Sequence, residues 1–231
     1  MLEGENLVAA YCARYGSPDA LLICEEVAHR PDIEALASQV PARDTLLVTA
    51  ERWGDLAQLS PAVGVLAVIA APTPRFQCAA DFCLLLEAVQ DPGNVGSILR
   101  SAAAAGVEQV FLSTGCAFAW SPKVLRAGQG GHFHLDIFEN VDLRAWASGY
   151  RGNLVAAVAA GGESLFNADL SAPVAIAIGN EGVGLSTALC AAAKHRVSIP
   201  MPGGFESLNA AAAAAVCLFE CVRRRERASA T

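Results

Sequence analysis

Three short loops carry the residues that could do chemistry, and each follows an apolar run. Their sequences are DPGNVG at residues 91–96, GNEGVG at residues 179–184 and PMPGG at residues 200–204. An apolar run that stops at Gly, Asn and Pro is typical of a buried strand that ends in a shaped backbone loop. In open parallel sheets, ligands bind at the loops that follow the carboxyl ends of strands. The three loops therefore predict one binding site built mostly from main-chain groups.

The first loop offers an amide and a guanidinium, six residues apart. Asp91 followed by Pro92 is a candidate helix cap, which would place Asn94 in the first turn of a helix. Asn94 could then order the loop or donate to a ligand. Arg100 would lie almost two turns further along, on another face, where its planar fork suits phosphate. A capping role for Asn94 and a solvated surface position for Arg100 are the structural alternatives.

The second loop has the glycines of a nucleotide-binding loop in a different order. Its G-x-x-G-x-G spacing begins at Gly179, whereas dinucleotide-binding folds use G-x-G-x-x-G. Glu181 stands among these glycines, where a purely structural turn gains little from a carboxylate. It could hold an amine, a hydroxyl or an arginine, and a surface turn is the alternative.

The third loop combines apolar side chains with free main-chain groups. Residues 199–201, with the sequence IPM, are expected close to Leu208. Such a lining suits a flat heterocycle held by backbone hydrogen bonds. Ser207 could cap a long final helix, with Asn209 just inside that helix.

A framework of alternating strands and helices must position these loops. Predicted strands cover residues 21–24, 45–48, 65–69, 82–89, 110–112, 154–159, 174–178 and 197–199. Predicted helices cover residues 33–39, 52–59, 95–105, 122–127, 185–193 and 207–225. The alternation predicts an α/β fold with a mostly parallel sheet covered by helices. Closely spaced prolines further predict a linker at residues 72–77, between a small domain at 1–71 and a larger one at 78–231.

The final helix carries apolar residues three or four positions apart, which predicts a packed stripe. Its members are Leu208, Ala212, Ala215, Phe219 and Val222. The stripe would cover either the domain's own sheet or a second copy of the chain.

The composition narrows the class of protein. The net charge of −7 argues against an overall basic nucleic-acid binder. Apolar runs of about ten residues or fewer are too short for a membrane span, which needs about 20. Glu3 and Glu5 replace the basic start of a secretory signal, and the eight cysteines contain no C-x-x-C pair. We therefore expect a cytoplasmic protein with reduced thiols and no membrane contact.

Two other kinds of site are poorly supported. His132 and His134 would share one face of a strand, but no third metal ligand is evident, so no metal site is predicted. A serine nucleophile would be expected in a G-x-S-x-G turn, which is missing.

Taken together, the loops resemble the SpoU family of RNA 2′-O-ribose methyltransferases, in the SPOUT superfamily. The resemblance covers roughly residues 82–225. Its motifs are LEAVQDPGNVGSILR at 86–100, IGNEGVGLS at 178–186, and IPM followed by SLN at 199–201 and 207–209. The first 71 residues resemble the small RNA substrate-binding domain that often precedes this catalytic domain.

The resemblance implies a C-terminal trefoil knot, S-adenosylmethionine as cofactor, a homodimer, and methylation of RNA. Cofactor binding is implied for Gly179, Asn180, Ile199, Pro200, Met201, Ser207 and Leu208. Catalytic roles are implied for Asn94, Arg100, Glu181, Ser207 and Asn209. RNA binding is implied for Arg100, Lys123 and Arg126. The expected target is ribosomal RNA; transfer RNA, or RNA binding without catalysis, are the alternatives.

One position departs from the family pattern. Relatives often show R-A-S-x-G-A, whereas residues 126–131 of this chain are RAGQGG. The missing hydroxyl at Gly128 makes a functional role for that position unexpected.

Overall fold

The computed structural model describes residues 1–57, 63–78 and 80–229, and it contains two sheets. The chain between the sheets, at residues 72–77, has neither helix nor strand. It is held to the second sheet, because the Arg75 N–H donates to the Asp136 carboxylate at 2.8 Å. Residues 58 and 59 of the predicted helix 52–59 lie outside the described residues.

The N-terminal unit is a four-stranded sheet with the order β1-β4-β2-β3. Its strands are β1 (Leu2–Glu3), β2 (Ala20–Cys24), β3 (Thr45–Val48) and β4 (Val65–Val68), and its helices are α1 (Glu5–Tyr15), α2 (Pro31–Ala37) and α3 (Ala50–Leu56). The β2 and β3 strands are parallel, while β4 runs antiparallel to β1 and β2. The strands predicted at residues 21–24, 45–48 and 65–69 match β2, β3 and β4 to within one residue at each end.

The C-terminal unit is a seven-stranded sheet in which every neighbouring pair is parallel, with the order β7-β6-β5-β10-β8-β11-β9. Its strands are β5 (Phe82–Leu86), β6 (Gln109–Leu112), β7 (Asp136–Phe138), β8 (Asn153–Ala157), β9 (Glu163–Ser164), β10 (Val174–Ile178) and β11 (His195–Ser198). Its helices are α4 (Pro92–Ala104), α5 (Pro122–Gly128), α6 (Leu143–Gly149), α7 (Thr187–Ala192) and α8 (Ala210–Ser229). The predicted mostly parallel α/β fold is confirmed.

The two central strands explain why the three loops come together. Every residue of β5 and of β10 is buried, as expected for strands covered by helices on both faces. Because the strands are parallel, the segments that follow β5, β10 and β11 leave the sheet at the same edge. These segments are the three loops of the sequence analysis.

The helix caps correct one prediction. Asp91 does cap α4, since its carboxylate accepts the Asn94 N–H at 2.8 Å. The prediction that Ser207 caps the last helix is wrong. The Asn209 side-chain oxygen accepts the N–H groups of Ala211 at 2.9 Å and Ala212 at 3.3 Å, so α8 begins after Asn209.

The buried face of α8 also differs from the predicted one. Ala214, Cys217, Leu218 and Cys221 are buried in the core, whereas Phe219 of the predicted stripe is 46% exposed. Residues 210–219 of the helix are all apolar, so two stripes have helical spacing and the periodicity could not choose between them. Two partners were considered for the predicted stripe, the domain's own sheet and a second copy of the chain. The prediction that the stripe packs on the domain's own sheet is therefore wrong.

The two histidines do not share a strand face. Gly131–His134 forms a 3₁₀ turn in which His132 is buried and His134 is exposed. Among the described residues, no group of three or more potential ligands is close enough to hold a metal ion. No helix in the described part of the chain is long and apolar enough to cross a membrane.

The two units share a hydrophobic core. Leu125 and Phe133 of the C-terminal unit pack into the cluster formed by Leu2, Leu7 and other residues of the N-terminal unit. The rings of Tyr11 and Phe133 meet edge to face, with centroids 5.5 Å apart. The N-terminal unit is therefore docked against α5 and the 3₁₀ turn.

Close packing of α4 on α5 depends on Gly96. A Cβ there would lie 2.5 Å from the Ala127 Cβ and 2.5 Å from the Val124 carbonyl oxygen. We expect Gly96→Ala to lower the free energy of unfolding by about 1–3 kcal/mol, because the backbone of α5 cannot yield cheaply. Urea unfolding followed by circular dichroism measures this loss.

Gly54→Ala is the matched control. Gly54 also lies inside a helix, but no atom of the described residues stands within 4 Å of an added Cβ. This variant should be as stable as the wild type or more stable by about 0.5–1 kcal/mol. Equal losses from both substitutions would contradict the packing explanation.

Candidate functional site

A cavity of about 560 Å³ opens at the carboxyl edge of the sheet, beside the ends of β8, β10 and β11. Six of the seven predicted cofactor residues line it, namely Gly179, Asn180, Ile199, Met201, Ser207 and Leu208. Pro200 is exposed and does not line it. The predicted catalytic residues Glu181, Ser207 and Asn209 do line the cavity. The second and third loops are therefore brought together around one space.

Glu181 fastens the second loop to the first. Its carboxylate accepts the main-chain N–H groups of Gln90 and Asp91, both at 3.3 Å. It also accepts the Asn94 side-chain amide at 2.9 Å. Glu181 thus has three donors, all from the segment that follows β5.

The same connection continues to the last helix. The Asn209 amide donates to the Asn94 side-chain oxygen at 2.9 Å. Since Asp91 caps α4, the Asn94 side chain is not used as a cap and bridges Glu181 and Asn209 instead. The Glu181–Asn94–Asn209 chain of hydrogen bonds therefore joins all three predicted motifs.

These donors keep Glu181 ionised at neutral pH. Burial by itself would raise the pKa of Glu181. Hydrogen bonds from Asn94 and from the main chain outweigh that effect, and the pKa lies below its ordinary value. The site consequently holds a fixed negative charge at one end of the cavity.

The glycines of the second loop allow it to form a tight turn. Asn180 bridges to Gly184 through two main-chain hydrogen bonds, and Gly184 has a φ of +71°, which favours glycine. The Asn180 amide donates to the Ala88 carbonyl at 2.8 Å. A Cβ on Gly179 would lie only 2.3 Å from main-chain atoms of Gly184 and Leu185. The turn therefore closes over the end of β10.

The predicted RNA-binding side chains lie outside this network. Arg100 is exposed on α4, and none of the described residues forms a hydrogen bond or an ion pair with its side chain. Lys123 and Arg126 are exposed on α5. The structure thus brings Asn94, Glu181 and Asn209 together but leaves the three cations on the outer surface.

Gly128 has a structural explanation. A Cβ at this position would lie 2.4 Å from the Cε1 atom of the buried His132 ring. The imidazole fills the volume that a serine side chain would need. The departure from the family pattern at Gly128 is therefore coupled to the presence of His132.

The sequence analysis missed a second carboxylate. Glu87 accepts the N–H of Ser186 at 2.6 Å and its hydroxyl at 2.7 Å, and Ser186 caps α7. Glu87 and Ser186 line a further cavity of about 670 Å³, beside α6. An acid directly after a buried strand was the available signal, since Glu181 stands in a similar position after β10. Ala157, Val158, Ala159 and Glu206 of the first cavity were also missed.

The segment that contains this network matches a known family. Residues 81–219 match the SpoU rRNA Methylase family, which is more than half of the chain. The chain belongs to the SpoU rRNA methylase family. The resemblance inferred from the three motifs is confirmed, and it accounts for the loops at the carboxyl edge of the sheet.

Similar proteins extend this assignment. RlmP of Bacillus subtilis is a 23S rRNA (guanosine(2553)-2′-O)-methyltransferase, and it is 30% identical to this SpoU chain over 226 residues. The aligned region covers 95% of this chain and 86% of RlmP. An uncharacterized tRNA/rRNA methyltransferase of Synechocystis is 38% identical over 149 residues, 63% of the chain and 54% of that relative. The chain thus spans about half the length of the Synechocystis protein. The crystal structure of the SpoU methyltransferase AviRb of Streptomyces viridochromogenes, in complex with AdoMet, matches with a TM-score of 0.82 and 29% identity, covering 98% of this chain and 90% of AviRb.

The charge on Glu181 should contribute to the stability of this SpoU chain. At pH 7 we expect Glu181→Gln to lower the melting temperature by about 2–4 °C, because charge-assisted hydrogen bonds are lost at a position where solvent screens part of their strength. A lowered pKa means that the carboxylate stabilises the fold above about pH 4.5 and loses this effect as the pH falls through its folded-state pKa. The difference from wild type should therefore shrink below about pH 4.5.

Thermal unfolding at several pH values measures the difference in melting temperature between Glu181→Gln and the wild type. Glu26→Gln is the control. Glu26 is exposed in the N-terminal unit, away from the loops. Its substitution should leave the melting temperature unchanged. A Glu181→Gln deficit that grows towards acid pH would contradict the assigned hydrogen bonds.

Proposed function

We propose that this chain transfers a methyl group from S-adenosylmethionine to a ribose 2′-hydroxyl of ribosomal RNA. The observation that carries the proposal is the meeting of the cavity with the Glu181–Asn94–Asn209 chain at one edge of the sheet. The name of RlmP supports ribosomal RNA as the substrate, and the AviRb complex supports the cofactor.

The cavity fits the cofactor in size and lining. A volume of about 560 Å³ is within the range of small-molecule pockets. Ile199, Met201 and Leu208 offer apolar contact to an adenine ring. Gly179 lines the cavity with main-chain atoms only, because glycine has no side chain. Glu181 and Glu206 provide negative charge for a ligand that carries a sulfonium cation.

When bound, S-adenosylmethionine supplies an electrophilic methyl group on a sulfur that leaves readily. The protein then has to hold the ribose oxygen in line with that group, and alignment alone can remove about 7–11 kcal/mol of barrier. Asn94 and Asn209 would have this orienting role, because Glu181 and the cap of α8 fix their side chains. Ser207 lines the cavity and could donate to the cofactor.

Arg100 would assist the hydroxyl without removing its proton directly. A guanidinium is a poor base, because its pKa is above about 12. We assign Arg100 to the phosphate beside the target ribose, where its charge lowers the cost of a developing alkoxide. Its exposed position on α4 is compatible with a partner that arrives from solution.

The charge distribution favours the C-terminal unit as the phosphate-binding part. Residues 1–71 contain ten acidic and four basic residues, which gives a net charge of −6. Residues 72–231 contain 13 acidic and 12 basic residues, which gives a net charge of −1. Lys and Arg supply most of the electrostatic affinity for phosphates. We therefore place the RNA backbone along Arg100, Lys123 and Arg126, and propose that the N-terminal unit contributes shape and contacts to bases or riboses.

Three further properties complete the proposal. A homodimer would cover the outward apolar residues of α8, of which Phe219 is 46% exposed. The segment between β11 and α8 would be threaded through a trefoil knot, as in the SPOUT superfamily. A cytoplasmic location is supported by eight cysteines that form no disulfide.

Cofactor binding can be tested with two glycines of the same loop. In Gly179→Ala the new methyl group would press on main-chain atoms at 2.3 Å, which should deform the turn. We expect S-adenosylmethionine to bind about ten-fold more weakly or worse, because overpacking costs about 1–3 kcal/mol. In Gly182→Ala the nearest atom is 3.5 Å away, so binding should be preserved. Isothermal titration calorimetry measures the affinity of both variants for S-adenosylmethionine. NAD is the negative control, because it should not bind.

Methyl transfer itself can be tested with Arg100→Ala. We expect the rate to fall by about 100-fold or more, because one charge that stabilises the transition state is lost. Cofactor affinity should stay near the wild-type value. Arg52→Ala, an exposed arginine of the N-terminal unit, is the control and should be fully active.

The readout is a map of 2′-O-methyl sites in RNA from cells that lack the protein or carry one of these variants. A ribosomal RNA site should disappear without the protein and return with the wild type and Arg52→Ala, but not with Arg100→Ala. A change confined to transfer RNA would contradict the proposed substrate. An unchanged map would contradict methyl transfer.

A further inference from the structure

One aromatic side chain at the carboxyl edge of the sheet has no explanation in packing. Phe118 lies in the connection between β6 and α5, and 60% of its surface is exposed. Its two neighbours are held firmly. The Ala117 N–H donates to the Val89 carbonyl at 2.9 Å, and Ala119 is completely buried. The backbone therefore presents the Phe118 ring to solvent from a fixed position.

Two polar side chains that the proposed reaction does not use, the half-buried Glu139 and the buried His132, hold this backbone. The Glu139 carboxylate accepts the Ala119 N–H at 2.8 Å. The His132 Nε2 lies 2.8 Å from the Ala119 carbonyl, so this nitrogen must donate. Burial lowers the pKa of His132 to about 4, which keeps the ring neutral at physiological pH. Both main-chain groups of Ala119 are thus fixed by hydrogen bonds to side chains.

The surroundings of Phe118 indicate what the ring would contact. Val89, which anchors the connection, is two residues before Asp91 at the start of α4. In the other direction the connection continues into α5, where Lys123 and Arg126 are exposed. Proteins hold single-stranded RNA with exposed aromatic rings and with cations, because the rings stack on bases while the cations meet phosphates.

We propose that Phe118 is the stacking platform for an unpaired base of the bound RNA, beside the catalytic loop. The inference rests on the proposed function only in taking RNA as the substrate. Stacking does not require cations, which suits a chain whose net charge is −7. Phe118 would therefore supply affinity that the few exposed cations cannot.

The stacking role of Phe118 can be tested by measuring RNA binding to this chain. The measurement is an anisotropy titration, and the probe is a fluorescein-labelled random-sequence RNA of 30 nucleotides. We expect Phe118→Ala to bind this RNA between about five-fold and about 150-fold more weakly, as stacking energies of about 1–3 kcal/mol per base imply. Phe118→Trp should bind like the wild type, and the RNA should quench its additional tryptophan fluorescence.

Phe166→Ala is the matched control. Phe166 is 51% exposed, but it follows β9, at the opposite end of the sheet from β6. Its substitution should leave RNA affinity unchanged. All three variants should keep the wild-type affinity for S-adenosylmethionine, which also reports correct folding of the cofactor site.

Several outcomes would overturn the proposal. One is a Phe118→Ala protein with wild-type RNA affinity, and another is a Phe118→Trp protein that RNA does not quench. A third is a Phe118→Ala protein whose only change is a weaker dimer in analytical ultracentrifugation, since the ring would then belong to a subunit contact. RNA binding and quenching without methyl transfer would contradict the proposed function alone, whereas a wild-type protein that does not bind RNA would contradict both.

Discussion

The site depends on one ionised carboxylate that holds together segments distant in the sequence. Glu181 accepts three hydrogen bonds from residues 87 to 91 positions earlier in the chain, and Asn94 extends the connection to Asn209. The loops involved are rich in glycine, and they would otherwise have many conformations of similar energy. A carboxylate suits this task, because it can accept several donors at once and its charge strengthens each bond.

Much of the framework could be predicted from the sequence, because long buried strands leave a clear pattern. The predicted bounds of β3 and β10 are those observed, and most other strands differ by a few residues. The predicted strands and helices did not include β1, β7, β9, α1 and α6. Strands of two or three residues contain too few side chains to show an alternation, and their pairing with a neighbour defines them. The face of α8 was missed for the opposite reason, since residues 210–219 of that helix are all apolar.

The site was predicted through its motifs, while its hydrogen bonds were not. Asn94, Glu181 and Asn209 were predicted site residues and Asp91 was a candidate helix cap, but nothing in the sequence showed that the Asn94 side chain bridges Glu181 and Asn209. Glu87 and Ser186 are 99 residues apart, so their contact is a property of the sheet order. Phe118 follows no motif, and its importance emerges only from the side chains of Glu139 and His132, which fix its neighbour Ala119.

The order of the strands has a consequence for biosynthesis. The central partner of β5 is β10, and the paired residues Phe82 and Val174 are 92 positions apart. At a translation rate of about 5–20 residues per second, β5 is synthesised roughly 5–20 s before β10. During that time one edge of a wholly apolar strand stays open to pairing with other nascent chains. Chaperone protection in this interval, more than the final stability, is therefore expected to limit the yield of native protein.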